Sequence, residues 1–307
     1  MSENNSTHKT KIKVDEVKRF LENFYNTEIF NFKKIIGGEG SQAFSYSVNN
    51  NNFIIRINKG SGENFLKDQF ACENFRNEKL PIPKILQIGE LENKMKYCIS
   101  EMVIGVDVRD VKDEEFEKLL PNLFETLEEI HKVDISTFLN FGKFGINKMG
   151  NRKSWKEYLQ SLGEHTSDLF TSGSLEKDFW DKYFEIYSKL IKFCPEEKYL
   201  LHGDFSGGNV ISKNEKVAGV IDWEQVMIGD FLYDIAWMDF WREDFDYKKY
   251  YYEKYKNSNK NLKNYNERIL CYQLEIGLDA LSFYAYSGQR EKCTKQKEKI
   301  LNLTVYF

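Results

Sequence analysis

Apolar residues follow two successive rhythms along this chain. Near the start, Val14, Val17, Leu21 and Phe24 recur at helical spacing and predict a short amphipathic helix over residues 14–24. The rhythm then shortens to alternation. Residues 32–36, 43–48 and 53–57 read as strands, with the asparagine run 49–52 as a hairpin turn. A helix is predicted over 65–78, stopped by Leu80-Pro81-Ile82-Pro83, because each proline disfavours the helical conformation of the residue before it. Residues 84–90 and 96–101 read as two more strands. From Asp113 onward helical spacing takes over, with Phe116, Leu119, Leu120, Leu123, Leu127 and Ile130 on one side. Further helices are predicted over 155–162, 179–193, 230–241 and 262–286. Only the block 201–223 interrupts them, with short strands and turns.

A strand-rich first third and a helix-rich remainder predict an α+β chain of two lobes, with the boundary near residues 103–107. The N-terminal lobe is expected to span 1–103, with residues 1–12 disordered, and the C-terminal lobe 104–307. A chain of 307 residues with 41% hydrophobic content can fill the core of both. Charged residues make up 30% with both signs interspersed, and the net charge of -4 argues against nucleic acid as the partner. Cys72, Cys98, Cys194, Cys271 and Cys293 are scattered and odd in number, which suits free thiols in a reducing compartment better than disulfides or zinc. Residues 1–10 lack the apolar core of a signal peptide, and no apolar run reaches membrane-spanning length. The expectation is a cytoplasmic monomer.

The interrupting block carries the chemistry. It reads Leu201-His202-Gly203-Asp204-Phe205-Ser206-Gly207-Gly208-Asn209-Val210, then Val220-Ile221-Asp222-Trp223. Residues 210–212 and 217–221 flank a polar turn, so they predict a hairpin that brings Asn209 and Asp222 to the same end. Two hard oxygen donors there make a magnesium site, with phosphates and water completing the shell. Asp204, on the loop before, is placed to position and deprotonate an attacking hydroxyl. Phosphoryl transfer from a magnesium nucleotide requires this set of groups. Turn capping explains any one of these residues, but not the ordered three. His202 is expected to support the loop by hydrogen bonding and is not counted as a catalytic group.

Three features of the first third suit a nucleotide. Gly37-Gly38-Glu39-Gly40-Ser41 joins two predicted strands, where backbone N–H groups and the Ser41 hydroxyl can face phosphates. Arg56 lies within the strand Phe53-Ile54-Ile55-Arg56-Ile57, on the face it shares with Ile54. A cation there needs an anionic partner. A nucleotide phosphate qualifies, as does a carboxylate from the following helix, with Asp68 preferred to Glu73. Main-chain groups of Glu101 and Val103, where the strand-rich part ends, are candidates to pair with an adenine edge.

These motifs, with Gly229-Asp230 and Tyr233, resemble the aminoglycoside phosphotransferases. Less generic segments are similar to the branch that acts on hygromycin B: Tyr97-Cys98-Ile99-Ser100, Phe141-Gly142-Lys143-Phe144-Gly145, Phe240-Trp241-Arg242 and Ile276-Gly277-Leu278-Asp279. The likeness runs over about residues 20–288. It implies a protein-kinase-like fold with a nucleotide-binding N-terminal lobe and a catalytic, substrate-binding C-terminal lobe. It also implies ATP and Mg2+ as cofactors, and transfer to an aminoglycoside hydroxyl, the 4-hydroxyl of hygromycin B. Carried over by residue, Asp204 is the base and Asn209 and Asp222 are the metal ligands. Arg56 stands where the family usually has a phosphate-binding lysine, and Gln69 falls near the helix glutamate that pairs with it. Both depart from the family pattern.

An aminoglycoside is polycationic, so its pocket is expected to hold carboxylates and flat rings. Trp237 and Trp241 lie four apart on a predicted helix, close to Asp239, Glu243 and Asp244. Glu275 and Asp279 form a second four-residue pair, whose mutual repulsion of about 0.2–0.5 kcal/mol in an isolated helix a bound cation would relieve. Trp237, Asp239, Trp241, Glu243, Glu275 and Asp279 are therefore candidate substrate contacts. A solvated face or ordinary core packing is the competing reading for each pair. Among other activities, a kinase for choline, a sugar amine, a macrolide or homoserine fits the same motif. A nucleotide-binding regulator has no need of Asp204, and a two-metal phosphohydrolase lacks its His and Asp ligands here.

Overall fold

A computed structural model describes residues 10–36, 40–164, 169–170 and 173–305. The chain packs as two compact units, residues 1–126 with 209–224, and residues 127–208 with 225–307. These differ from the predicted division at 103/104 in two ways. The start of the long helix packs with the strand-rich unit, and so does the distant 209–224 segment.

The first unit opens with helix α1 (Val14–Tyr25), which buries Val17 and Leu21 and ends on Asn26 in the left-handed conformation. The backbone N–H groups of Asn26 and Thr27 turn back to the carbonyls of Asn23 and Glu22, satisfying the helix end. An antiparallel sheet follows in the order β1-β2-β3-β5-β4, with β1 Phe30–Ile35, β2 Gln42–Val48, β3 Asn51–Asn58, β4 Ile85–Glu90 and β5 Lys96–Glu101. Strict alternation buries Phe44, Tyr46 and Val48 of β2, and these pack with Val17, Leu21, Ile55, Ile57 and Ile99 as one core. The β2–β3 turn is tighter than the predicted 49–52. Only Asn49 and Asn50 lie outside the strands, both with positive φ, which gives the two-residue turn that matches strand twist. Residues 10–12, expected to be disordered, are held against β2. Ile12 and the Gln42 side chain exchange two hydrogen bonds, and Thr10 is buried. The rest of that stretch, residues 1–9, lies outside the described residues.

Helix α2 (Glu63–Phe75) ends before the predicted residue 78. The Asn77 side chain accepts the N–H groups of Lys79 and Leu80, forming a local turn that competes with the helix before either proline is reached. A second sheet, ordered β11-β10-β6, joins β6 (Val106–Asp107) to the hairpin of β10 (Val210–Lys213) and β11 (Lys216–Val220). That pairing, with Val220 N–H donating to the Pro81 carbonyl, is why 209–224 packs with the first unit. Helix α3 (Asp113–His131) follows β6 in sequence.

The second unit contains helices α4 (Trp155–Gln160), α5 (Lys177–Leu190), α6 (Leu232–Trp241), α7 (Tyr247–Tyr255), α8 (Tyr265–Tyr286) and α9 (Arg290–Leu303). Its core helix is α8, buried on most sides. Arg268 and Asp230 are both fully buried there as an ion pair, joined by the hydroxyl of Tyr272. A short sheet, ordered β8-β7-β12-β9, also belongs to this unit, with β7 Phe141–Phe144, β8 Gly150–Arg152, β9 Tyr199–Leu201 and β12 Met227–Gly229. Strands of three or four residues are too short to show alternation, so the sequence reading passed over most of this sheet. Among the described residues, no helix is long and apolar enough to cross a membrane. All five cysteines are free.

Candidate functional site

In the first unit, Arg56 and Ile54 share one face of β3 while Ile55 and Ile57 are fully buried on the other. The Arg56 guanidinium meets Asp68 of α2 at 2.5 Å, and it lies 5.2 Å from the Phe65 ring centroid. Burial opposes the charge on Arg56. The carboxylate of Asp68, then the Cys98 sulfur and Asp222, outweigh it, so its pKa is raised and the cation is held. Asp68 is thus the partner preferred from sequence. Glu73 accepts instead from Gln69, at 2.8 Å, so the residue near the family's helix glutamate makes a local contact. The other oxygen of Asp68 accepts the backbone N–H of Trp223 at 2.8 Å. One carboxylate therefore ties Arg56 to the segment that follows the hairpin, a link that sequence spacing could not show across 155 residues.

The hairpin itself forms with Asn214 and Glu215 at its turn, both at positive φ. At its open end, Ile221 N–H donates to the Asn209 carbonyl at 2.9 Å, which sets Asn209 beside the approach to Asp222. Asp222 has φ 63°, a left-handed conformation that Asp tolerates better than most residues and that concentrates at functional sites. Trp223 anchors the segment, fully buried with its ring 5.7 Å from that of Phe75. A carboxamide and a carboxylate at one hairpin end form a hard-oxygen donor pair, which fits magnesium in chemistry.

Glu101 closes β5. Its N–H donates to the Lys84 carbonyl, and its carboxylate accepts the Lys84 N–H. Val103 packs against β11, where a side chain on Gly219 would come within 2.6 Å of a Val103 methyl. Ser41 is half-buried just ahead of β2. Gly37, Gly38 and Glu39 of the glycine segment lie outside the described residues.

The second unit holds Asp204 on the loop after β9. Asp234 of α6 accepts the N–H groups of His202 at 3.1 Å and Gly203 at 2.9 Å. His131 reaches the same carboxylate at 3.1 Å. His202 is fully buried, and its Nδ1 accepts the Asp204 N–H at 3.3 Å, the supporting role expected of it. Gly203 has φ 77°, and a Cβ there would lie 2.2 Å from the Gln225 carbonyl oxygen, so glycine is required.

Asp204 borders a cavity of about 460 Å³ that Trp237, Glu275 and Asp279 also line. Four carboxylates, counting Glu164, which pairs with Arg152 at 2.6 Å, line it with one lysine, Lys143, so the cavity is acidic on balance. Glu275 is buried, and that burial, followed by the Asp279 carboxylate, pushes its pKa up to about 7. The Tyr233 hydroxyl, donating to Glu275 at 2.7 Å, and Lys143 oppose the rise. Lys143, Asn151, Tyr158, Glu164 and Tyr233 were not among the candidates. A signal existed for two of them: Lys143 is the cation inside Phe141-Gly142-Lys143-Phe144, and Tyr233 follows Gly229-Asp230.

Three candidates are not among the cavity's lining residues. Asp239 is engaged by Lys248 at 2.8 Å and Gln273 at 2.7 Å, which joins α6 to α7 and α8. Glu243 pairs with Lys299 at 2.9 Å. Trp241 packs on Phe240, with the Lys299 ammonium 5.3 Å from its ring. Trp241, one turn after Trp237 on α6, stays 6.0 Å from its ring without lining the cavity, and Glu243 lies beyond the end of that helix.

A model of the phosphotransferase enzyme family matches residues 34–256. Hygromycin-B 4-O-kinase of Escherichia coli is 28% identical over 277 residues, covering 89% of this chain and 80% of that protein. Aminoglycoside 3'-phosphotransferase of Niallia circulans is 27% identical over 174 residues, 56% of this chain and 62% of that one. The crystal structure of a thermostable mutant of aminoglycoside phosphotransferase APH(4)-Ia, in ternary complex with AMP-PNP and hygromycin B, matches with a TM-score of 0.84 at 26% identity. It covers 94% of this chain and 97% of the other. The α+β kinase-like fold expected from sequence is the fold of this chain.

Proposed function

The chain belongs to the phosphotransferase enzyme family, and from that premise we propose that it is an aminoglycoside O-phosphotransferase. In this reading it transfers the γ-phosphate of ATP to the 4-hydroxyl of hygromycin B and so confers resistance to it. The observation that carries the reading is the acidic cavity, which sets Asp204 among Glu275, Asp279 and the Trp237 ring. Ammonium groups suit the carboxylates, sugar faces suit the ring, and Asp204 borders the space a hydroxyl would enter.

Asp204 acts as the base, taking the acceptor hydroxyl's proton as its oxygen bonds to the γ-phosphorus and the bond to the β,γ-bridging oxygen breaks, releasing ADP. Arg56, held charged by Asp68, contacts nucleotide phosphate. Its planar fork makes paired contacts where a lysine would present a point charge. Ser41 contributes a hydroxyl to the phosphates, and Glu101 and Val103 present main-chain groups to the base. Residues 1–103 thus serve the nucleotide, and 104–307 serve catalysis and the acceptor. Asn209 and Asp222 are suited to hold Mg2+, which when bound would neutralise charge on the phosphates and orient them.

The test is product mass and nucleotide consumption with a panel of hygromycin B, other aminoglycosides, choline, a macrolide and homoserine. The expected result is a gain of one phosphoryl group on hygromycin B. Turnover of choline, a macrolide or homoserine with none of any aminoglycoside would overturn the proposal.

A further inference from the structure

Helix α6 holds three consecutive residues of the Asp204 loop. Asp234 fixes the backbone of His202 and Gly203, and one turn further on Trp237 reaches the side chain of the third. Its indole Nε1–H donates to Asp204 Oδ1 at 2.7 Å. The direction is unambiguous, since an indole N–H only donates. A donor on an ionised carboxylate makes a short, charge-assisted bond that also restrains the side chain's rotation.

The indole is itself held. Tyr233, one turn earlier on α6 and buried, stacks on it with centroids 6.2 Å apart and planes at 30°. Tyr233 is in turn fixed by its hydroxyl bond to Glu275 and by edge contact with Trp155 at 5.8 Å. The Trp241 ring lies 6.0 Å from that of Trp237. This framework gives a side chain counted from sequence only as a flat wall for substrate a second, directional contact with Asp204.

We propose that Trp237 is a positioning residue that fixes the orientation of the Asp204 carboxylate through its indole N–H, in addition to lining the acceptor cavity. The proposal rests on the reading of Asp204 as the base. General-base efficiency depends on the base being within hydrogen-bond reach of the proton it takes, and misplacement by about 1 Å costs roughly 100-fold in rate. Trp237→Phe keeps an aromatic ring beside Tyr233 but replaces the indole, with its N–H donor, by a smaller ring that cannot donate. Its kcat should therefore fall roughly 10- to 100-fold while KM for hygromycin B stays within about twofold.

The experiment pairs those kinetics with indole N–H resonances of the full chain, which has five tryptophans. Asp204→Asn should move one indole resonance, and it should be the one absent from Trp237→Phe. Raised KM with unchanged kcat would make Trp237 a wall of the cavity alone and overturn the proposal. So would an indole set that does not respond to Asp204→Asn. The resonance test needs no acceptor, and if Trp237→Phe does not fold, the moved resonance can be assigned from Trp→Phe variants at the other four positions. Transfer that survives Asp204→Asn would instead sink the reading of Asp204 as base, a separate result.

Discussion

Replacing Glu275 by Gln should make the folded protein more stable at alkaline pH and leave it unchanged in acid. Glu275 is 6% exposed, and its carboxyl is displaced from an ordinary value of 4.5 to about 7 by burial and by the neighbouring Asp279. Between those two values the folded chain keeps the proton that the unfolded chain has lost. Stability is therefore fully present below about 4.5 and is lost as pH rises through about 7. The displacement corresponds to about 3 kcal/mol. A glutamine is neutral throughout and retains an oxygen for the Tyr233 hydroxyl, so it escapes the loss. Urea unfolding at about pH 8 should show the variant more stable by about 3 kcal/mol, and at about pH 4 the two proteins should be within roughly 0.5 kcal/mol. Equal stability at both pH values, or a variant weaker at both, would refute the account of Glu275 as a buried, repelled carboxyl.

Three further measurements probe named contacts. Glu275→Gln should also weaken hygromycin B binding, by about tenfold if one ammonium–carboxylate contact is lost, as measured by calorimetry above pH 7. Asp68→Ala leaves the half-buried Arg56 guanidinium and the Trp223 N–H without their shared acceptor. Urea unfolding should register a loss of about 3 kcal/mol, and a value near zero would show the pair to be incidental. Asp230→Ala strands the fully buried Arg268 and should cost about 3–5 kcal/mol by the same measurement.

Legibility in the sequence followed element length and range of contact. Alternation in 43–48 and 53–57 was enough to place Arg56 on its face of β3, and the need of that charge for an anion named Asp68. The hairpin that brings Asn209 and Asp222 to one end was readable because both strands and the turn are contiguous. The Asp68–Trp223 bond was not, since no local pattern records a contact between segments so far apart. Strands β7, β8 and β12 were missed because three or four residues cannot display a period. The acceptor candidates divided for a geometric reason. Glu275, Asp279 and Trp237 line the cavity, whereas Asp239 is engaged by Lys248 and Gln273, Glu243 by Lys299, and Trp241 packs on Phe240. Charge and aromaticity pointed to residue types, but which of these side chains line one cavity depends on tertiary partners that no local pattern records.

The central claim is that this chain phosphorylates an aminoglycoside with Asp204 as the base. The most direct measurement is the initial rate of phosphoryl transfer from ATP to hygromycin B by the native chain and by Asp204→Ala, side by side. The account predicts phosphorylated hygromycin B from the native protein, and a rate reduced by about 100-fold or more in the variant, with nucleotide binding retained. Transfer by Asp204→Ala at the native rate would contradict it.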